Sequence, residues 1–90
     1  MNPTSTVGIM SERKAQVRAF IVDDFLFGDG AQLEDGTSFL DRGIIDSTGI
    51  LELVLFLEET FDIEIGDREL VPENLDSLDA VDRFLMKKLS

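Results

Sequence analysis

One serine carries the chemistry this sequence offers. In Gly43 to Ile65, GIIDSTGILELVLFLEETFDIEI, Ser47 follows Asp46 and opens an apolar-rich segment with acidic residues at helical spacing. A hydroxyl at the mouth of a helix is exposed and addressable, so Ser47 is a candidate point of covalent attachment. An Asp–Ser pair by itself also recurs by chance, and it then reads as an N-cap or first-turn residue of the helix.

Composition narrows what else is possible. The 90 residues contain no cysteine and no histidine. Without histidine, a Ser–His–Asp site is impossible and the commonest general base is missing. Without cysteine as well, zinc chemistry has few ligands to use, and disulfides cannot support the fold. Stability must then come from the packing of one small core. With 19 acidic and 8 basic residues the net charge is −11. Such a surface repels phosphate backbones, which argues against nucleic acid as a partner. It favours salt-sensitive association with basic patches on proteins, although it also serves solubility alone. No apolar run approaches the roughly 20 residues of a membrane span. The first ten residues lack a basic start and a long apolar stretch, so the expected location is cytoplasmic.

Helical elements must position the serine. Residues 1–10 are small and polar and read as a flexible terminus, with a single domain over 11–90. Ser11 is the expected N-cap of a first helix whose Val17, Phe20, Ile21 and Phe25 recur at three- and four-residue spacing. That helix should end near Gly28. Residues 28–46 form a long Gly- and Asp-rich connection, pinned by Phe39 and Leu40 ahead of Ile44 and Ile45. A connection of that length in a small domain points to function. A second helix is predicted over 47–60, with Ile50, Leu53, Val54, Leu57 and Phe61 inward. Thr48, Glu52, Leu55 and Glu59 fall on another face, flanked by Leu51 and Phe56. Alternation in residues 62–66 makes a short strand conceivable. Asp67 to Val71 suits one helical turn closed by Pro72. Ser77 caps a last helix with Leu78, Val81, Phe84, Leu85 and Leu89 in its stripe. The fold class is all-α, a three- to four-helix bundle with its longest loop between the first two helices.

The stretch SFLDRGIIDSTGILELVLFLEETFDIEI resembles the acyl carrier protein family. Phe39 matches the family's loop, Asp46–Ser47 its attachment motif, and Leu53–Val54, Leu57–Glu58–Glu59 and Phe61–Asp62 its second helix. With the flanking helices the resemblance covers about residues 12–88. It implies that Ser47 accepts a 4′-phosphopantetheine arm from coenzyme A, attached by a separate phosphopantetheinyl transferase, so the chain is a carrier and not an enzyme. Asp46 would support the motif by N-capping and by helping the transferase position the serine. Docking of partner enzymes is implied for Thr48, Gly49, Glu52, Leu55, Phe56 and Glu59. For Phe56 core burial is the other reading, and for Glu52 and Glu59 a solvated helix face.

The expected partners are loading ligases or synthases with basic docking patches, and the expected state is a monomer. The common fatty-acid and polyketide pattern has Leu after the serine, then an acidic or polar residue, and Leu–Gly before the motif. Here Thr48 and Gly49 follow, and Gly43–Ile44–Ile45 precede. That string is similar to D-alanyl carrier proteins and related stand-alone carriers loaded by adenylating ligases, which implies a specialised discrete carrier. Cargo is then acyl or, alternatively, aminoacyl. An unmodified acidic interaction module is the competing class.

Other patterns carry less. An EF-hand starting at Asp23 would put Phe25 and Phe27 on ligand positions, and one starting at Asp29 would put Ala31 and Leu33 there. Adjacent carboxylates such as Asp23–Asp24 or Glu58–Glu59 do not face each other on a helix. Gly28–Asp29–Gly30 lacks the lysine of a phosphate loop.

Overall fold

The computed structural model describes residues 5–31 and 33–89. Among the described residues four helices follow in order: α1 Ser5–Phe25, α2 Ser47–Phe61, α3 Pro72–Leu75 and α4 Leu78–Leu89, with a 3-10 turn at Asp67–Glu69. The expected all-α bundle with a long α1–α2 loop is therefore present. Helix α4 packs on α1 and α3, and α1 also meets α2. Val17 and Ile21 of α1, Leu53 and Leu57 of α2, and Leu78, Val81 and Leu85 of α4 close the core.

Helix α1 begins ahead of the expected Ser11 cap, so Ser11 lies inside it. The sequence there has no apolar period to announce a helix. The flexible terminus expected over 1–10 falls partly on residues 1–4, which lie outside the described residues. At the other end, Ser77 does cap α4, its hydroxyl accepting the Ala80 N–H at 3.0 Å.

Three local expectations are corrected. No strand forms over 62–66. The Glu58 carboxylate instead accepts the Ile65 N–H at 2.9 Å, holding the chain after α2 without a neighbouring strand. Pro72 does not close a turn but opens α3, where its missing N–H costs nothing. Leu40 is no loop anchor, being 44% exposed; Phe39 is buried as expected, and Leu33 is a further apolar residue of that loop that the core takes in.

The loop owes its shape to buried apolar pins and to polar ties. Leu33, Phe39 and Ile45 are all buried. Arg18 of α1 donates to the carbonyls of Gly30 (2.8 Å) and Leu33. Lys14 bridges Asp35 of the loop (3.2 Å) and Asp79 of α4 (2.9 Å). Asp76, between α3 and α4, accepts the Leu40 N–H at 2.8 Å and the Ser38 hydroxyl, while its own carbonyl accepts the Phe39 N–H at 2.8 Å. These bonds satisfy backbone groups that a loop tied to a core would otherwise strand.

Candidate functional site

Asp46 sits in extended backbone (φ −97°, ψ −174°), and its carboxylate accepts the Gly49 N–H at 2.8 Å. Asp46 is thus the N-cap of α2, and Ser47 is the first residue of the helix. Ser47 is exposed. The first-turn amides of Ser47 and Thr48 have no carbonyl one turn back to bond, and they lie at the positive end of the helix dipole. An anionic group esterified to the Ser47 oxygen would meet those amides. The carboxylate of Asp46 opposes it through like charge while holding the turn wound.

Gly49 explains why this turn lies where it does. A Cβ there would stand 2.8 Å from the Phe25 ring and 2.9 Å from a methyl of Ile45. The first turn of α2 is pressed onto the end of α1, and only a residue without a side chain permits it. Gly49 is buried, so it is a packing position and offers no surface for docking. Phe56 is half-buried, its ring stacked on Phe20 at 4.2 Å between centroids and 10° between planes. Its ring thus lies against α1 and packs on the core, in line with the core reading of that residue.

The remaining candidates share one face. Thr48, Glu52, Leu55 and Glu59 are exposed. Leu51 (56% exposed) and Leu55 (57% exposed) follow Ser47 at successive four-residue steps, so serine and leucines form one row along the helix. Leu51 belongs to the exposed face and not merely to its flank.

A cleft of about 230 Å³ opens beside the serine, lined by Ser47, Leu40, Ile50, Leu70, Val71 and Leu75 among others. Its walls come from α2, the loop and the segment through α3. The cleft is hardly legible in the sequence, because its lining residues are far apart in the chain. Pro72 as a helix opener was the one available signal, since it turns Val71 and Leu75 toward the start of α2.

The chain is thus a helical bundle whose second helix opens on an exposed serine after a long tied loop. Among solved structures, the chain is similar to one of the Bradyrhizobium japonicum glycine:[carrier protein] ligase complexed with its cognate carrier protein and an analogue of glycyl adenylate. The TM-score is 0.66, the identity 22%, and the match covers 89% of this chain and 99% of the other. In sequence, the chain is 43% identical over 49 residues to the acyl carrier protein of Clostridium acetobutylicum. That match spans 54% of this chain and 64% of the relative, less than two thirds of its length. No protein-family model matches the chain. The resemblance to the acyl carrier protein family thus has a counterpart in sequence, and the bundle fold is shared with a chain of a carrier-protein complex.

Proposed function

We propose that this chain is a discrete carrier protein, loaded at Ser47 with 4′-phosphopantetheine from coenzyme A by a separate transferase. The observation that carries the reading is the placement of Ser47: exposed, first in an Asp46-capped helix, and on the rim of an apolar cleft. The Ser47 oxygen forms the bond to phosphorus, adenosine 3′,5′-bisphosphate leaves, and the serine proton passes to the transferase. The arm supplies a terminal thiol for thioester linkage, which this cysteine-free chain lacks. The Ser47 and Thr48 amides would stabilise a phosphodiester there, and Ile50, Leu70, Val71 and Leu75 would offer apolar cover beside it. The row of Ser47, Leu51 and Leu55, bordered by Glu52 and Glu59, meets partner enzymes with basic docking patches. The chain itself is not an enzyme, and it works as a cytoplasmic monomer on an acyl cargo.

An aminoacyl cargo is the second reading. Thr48 and Gly49 after the serine favour it, and so does the fold shared with a carrier bound to a glycine ligase.

The test is to incubate the purified chain with coenzyme A, magnesium and a broad-specificity phosphopantetheinyl transferase and to weigh it intact. One phosphopantetheine is expected on the wild type and none on Ser47→Ala. No gain on a folded wild-type sample, with several transferases, would make the chain an unmodified acidic interaction module. Mass spectra of the loaded form, after incubation with ATP and either amino acids or fatty acids plus an adenylating ligase, then separate the two cargoes.

A further inference from the structure

An aromatic groove runs between α1 and α2, apart from the serine. Phe20 of α1 and Phe56 of α2 stack there, and each is half-buried. The groove measures about 360 Å³, and Asp23, Asp24, Gln16 and Thr60 line it together with the two rings. Packing one helix on another calls for the ring pair but not for carboxylates beside it. Asp23 and Asp24 are exposed in the last turn of α1, which has no basic residue. Carboxylates there face the negative end of the helix dipole and weaken the helix. Among the described residues neither side chain has a hydrogen-bond or ion-pair partner.

The charge of this groove has one sign. Every ionisable residue that lines it is acidic. Glu52 and Glu59, four before and three after Phe56, are exposed on the same side of α2 and extend the negative field. Such a rim repels nucleic acid and an anionic membrane surface. A purely apolar ligand would cover the rings but desolvate carboxylates without pairing them. A second copy would bring one net charge of −11 against another.

A cationic side chain of a partner protein suits both parts of the groove. Its alkyl stem lies on the rings while its head reaches the carboxylates. Arginine suits it better than lysine, because a planar guanidinium packs on aromatic carbon and forks onto carboxylates. We propose that the Phe20–Phe56 groove, with Asp23 and Asp24 on its rim, is a docking site for an arginine side chain of a partner protein. Phe56 lies nine residues beyond Ser47 on α2, about 14 Å along the helix axis. A partner held there leaves the serine end of α2 uncovered. The site goes beyond the carrier reading and stands whether or not Ser47 is loaded.

The test titrates the isotope-labelled full chain with a blocked tri-arginine peptide and follows the backbone amide shifts by NMR. Saturable shifts should centre on Ala19, Phe20, Asp24, Phe56 and Thr60. Asp23→Asn together with Asp24→Asn should raise the Kd about fivefold to tenfold. Glu64→Gln together with Asp67→Asn removes as much charge from exposed positions outside the groove, and should leave the Kd unchanged. Both double variants alter only exposed side chains and should keep the fold, checked by circular dichroism. An equal rise in the two double variants, or shifts spread over all the acidic faces, overturns the site. A tri-lysine peptide that binds as tightly overturns the choice of arginine. Groove shifts that appear on concentrating the chain alone, with a dimer in sedimentation, make a second copy the occupant and overturn the partner assignment.

Discussion

Asp46 and Gly49 have separable duties in one turn of helix. Asp46→Ala removes a cap and should cost about 1 kcal/mol of stability, read as a lower urea midpoint. Asp46→Asn keeps an acceptor for the Gly49 N–H and should be close to wild type in stability. Loading of Asp46→Asn at the wild-type rate would show that the carboxylate charge has no part in presenting Ser47 to the transferase. Gly49→Ala tests the close approach of α2 to α1. Alanine gains about 1 kcal/mol of helix propensity over glycine. Its Cβ, however, would stand under 3 Å from Phe25 and Ile45. Overpacking of that kind costs about 1–3 kcal/mol, so the substitution should be net destabilising in urea unfolding. A stabilised Gly49→Ala would mean that the first turn of α2 moves easily.

At the scale of elements, Leu33 is one of the buried pins of the α1–α2 loop, and the 3-10 turn leans on the Glu69 carboxylate. Leu33 is almost wholly buried although it comes from a polar stretch. Leu33→Ala should destabilise by about 3 kcal/mol and speed proteolysis between α1 and α2. In the 3-10 turn, the Gly66 N–H donates to the Glu69 carboxylate at 2.8 Å, and Lys88 pairs with it at 3.1 Å. Both hold Glu69 below its ordinary pKa, the backbone bond more than the lysine. A carboxyl lowered on folding stabilises the native state above the unfolded pKa, and that contribution fades as pH falls through the folded value. Wild type should therefore melt above Glu69→Gln at neutral pH, with the gap narrowing in acid. A gap that does not depend on pH would remove the ionised carboxylate as its cause.

For the whole molecule, charge is the dominant fact beyond the core. With a net charge of −11, self-repulsion opposes the compact state. The Arg13–Asp82, Lys14–Asp79 and Lys88–Glu69 pairs are at least partly open to solvent and individually worth little. Screening should relieve more repulsion than attraction, so the melting temperature should rise from low salt to physiological ionic strength. A melting temperature that falls with salt would place the balance with the ion pairs.

The sequence alone determined the helical class, the cores of α2 and α4, and the place of Ser47 after an N-cap. Apolar periods in α2 and α4, the Ser77 cap and the Asp46–Ser47 pair are local signals, and local backbone preferences and one-sided burial suffice to express them. The first turns of α1 carry no such period, which is why its start went unread. Only the tertiary structure decided which residues of that pattern face solvent. It buried Gly49 under Phe25, stacked Phe56 on Phe20, turned Leu40 outward and Leu33 inward, and gathered Leu70, Val71 and Leu75 beside Ser47. Those outcomes depend on contacts between residues distant in the chain, and the period of a single helix or loop does not contain them.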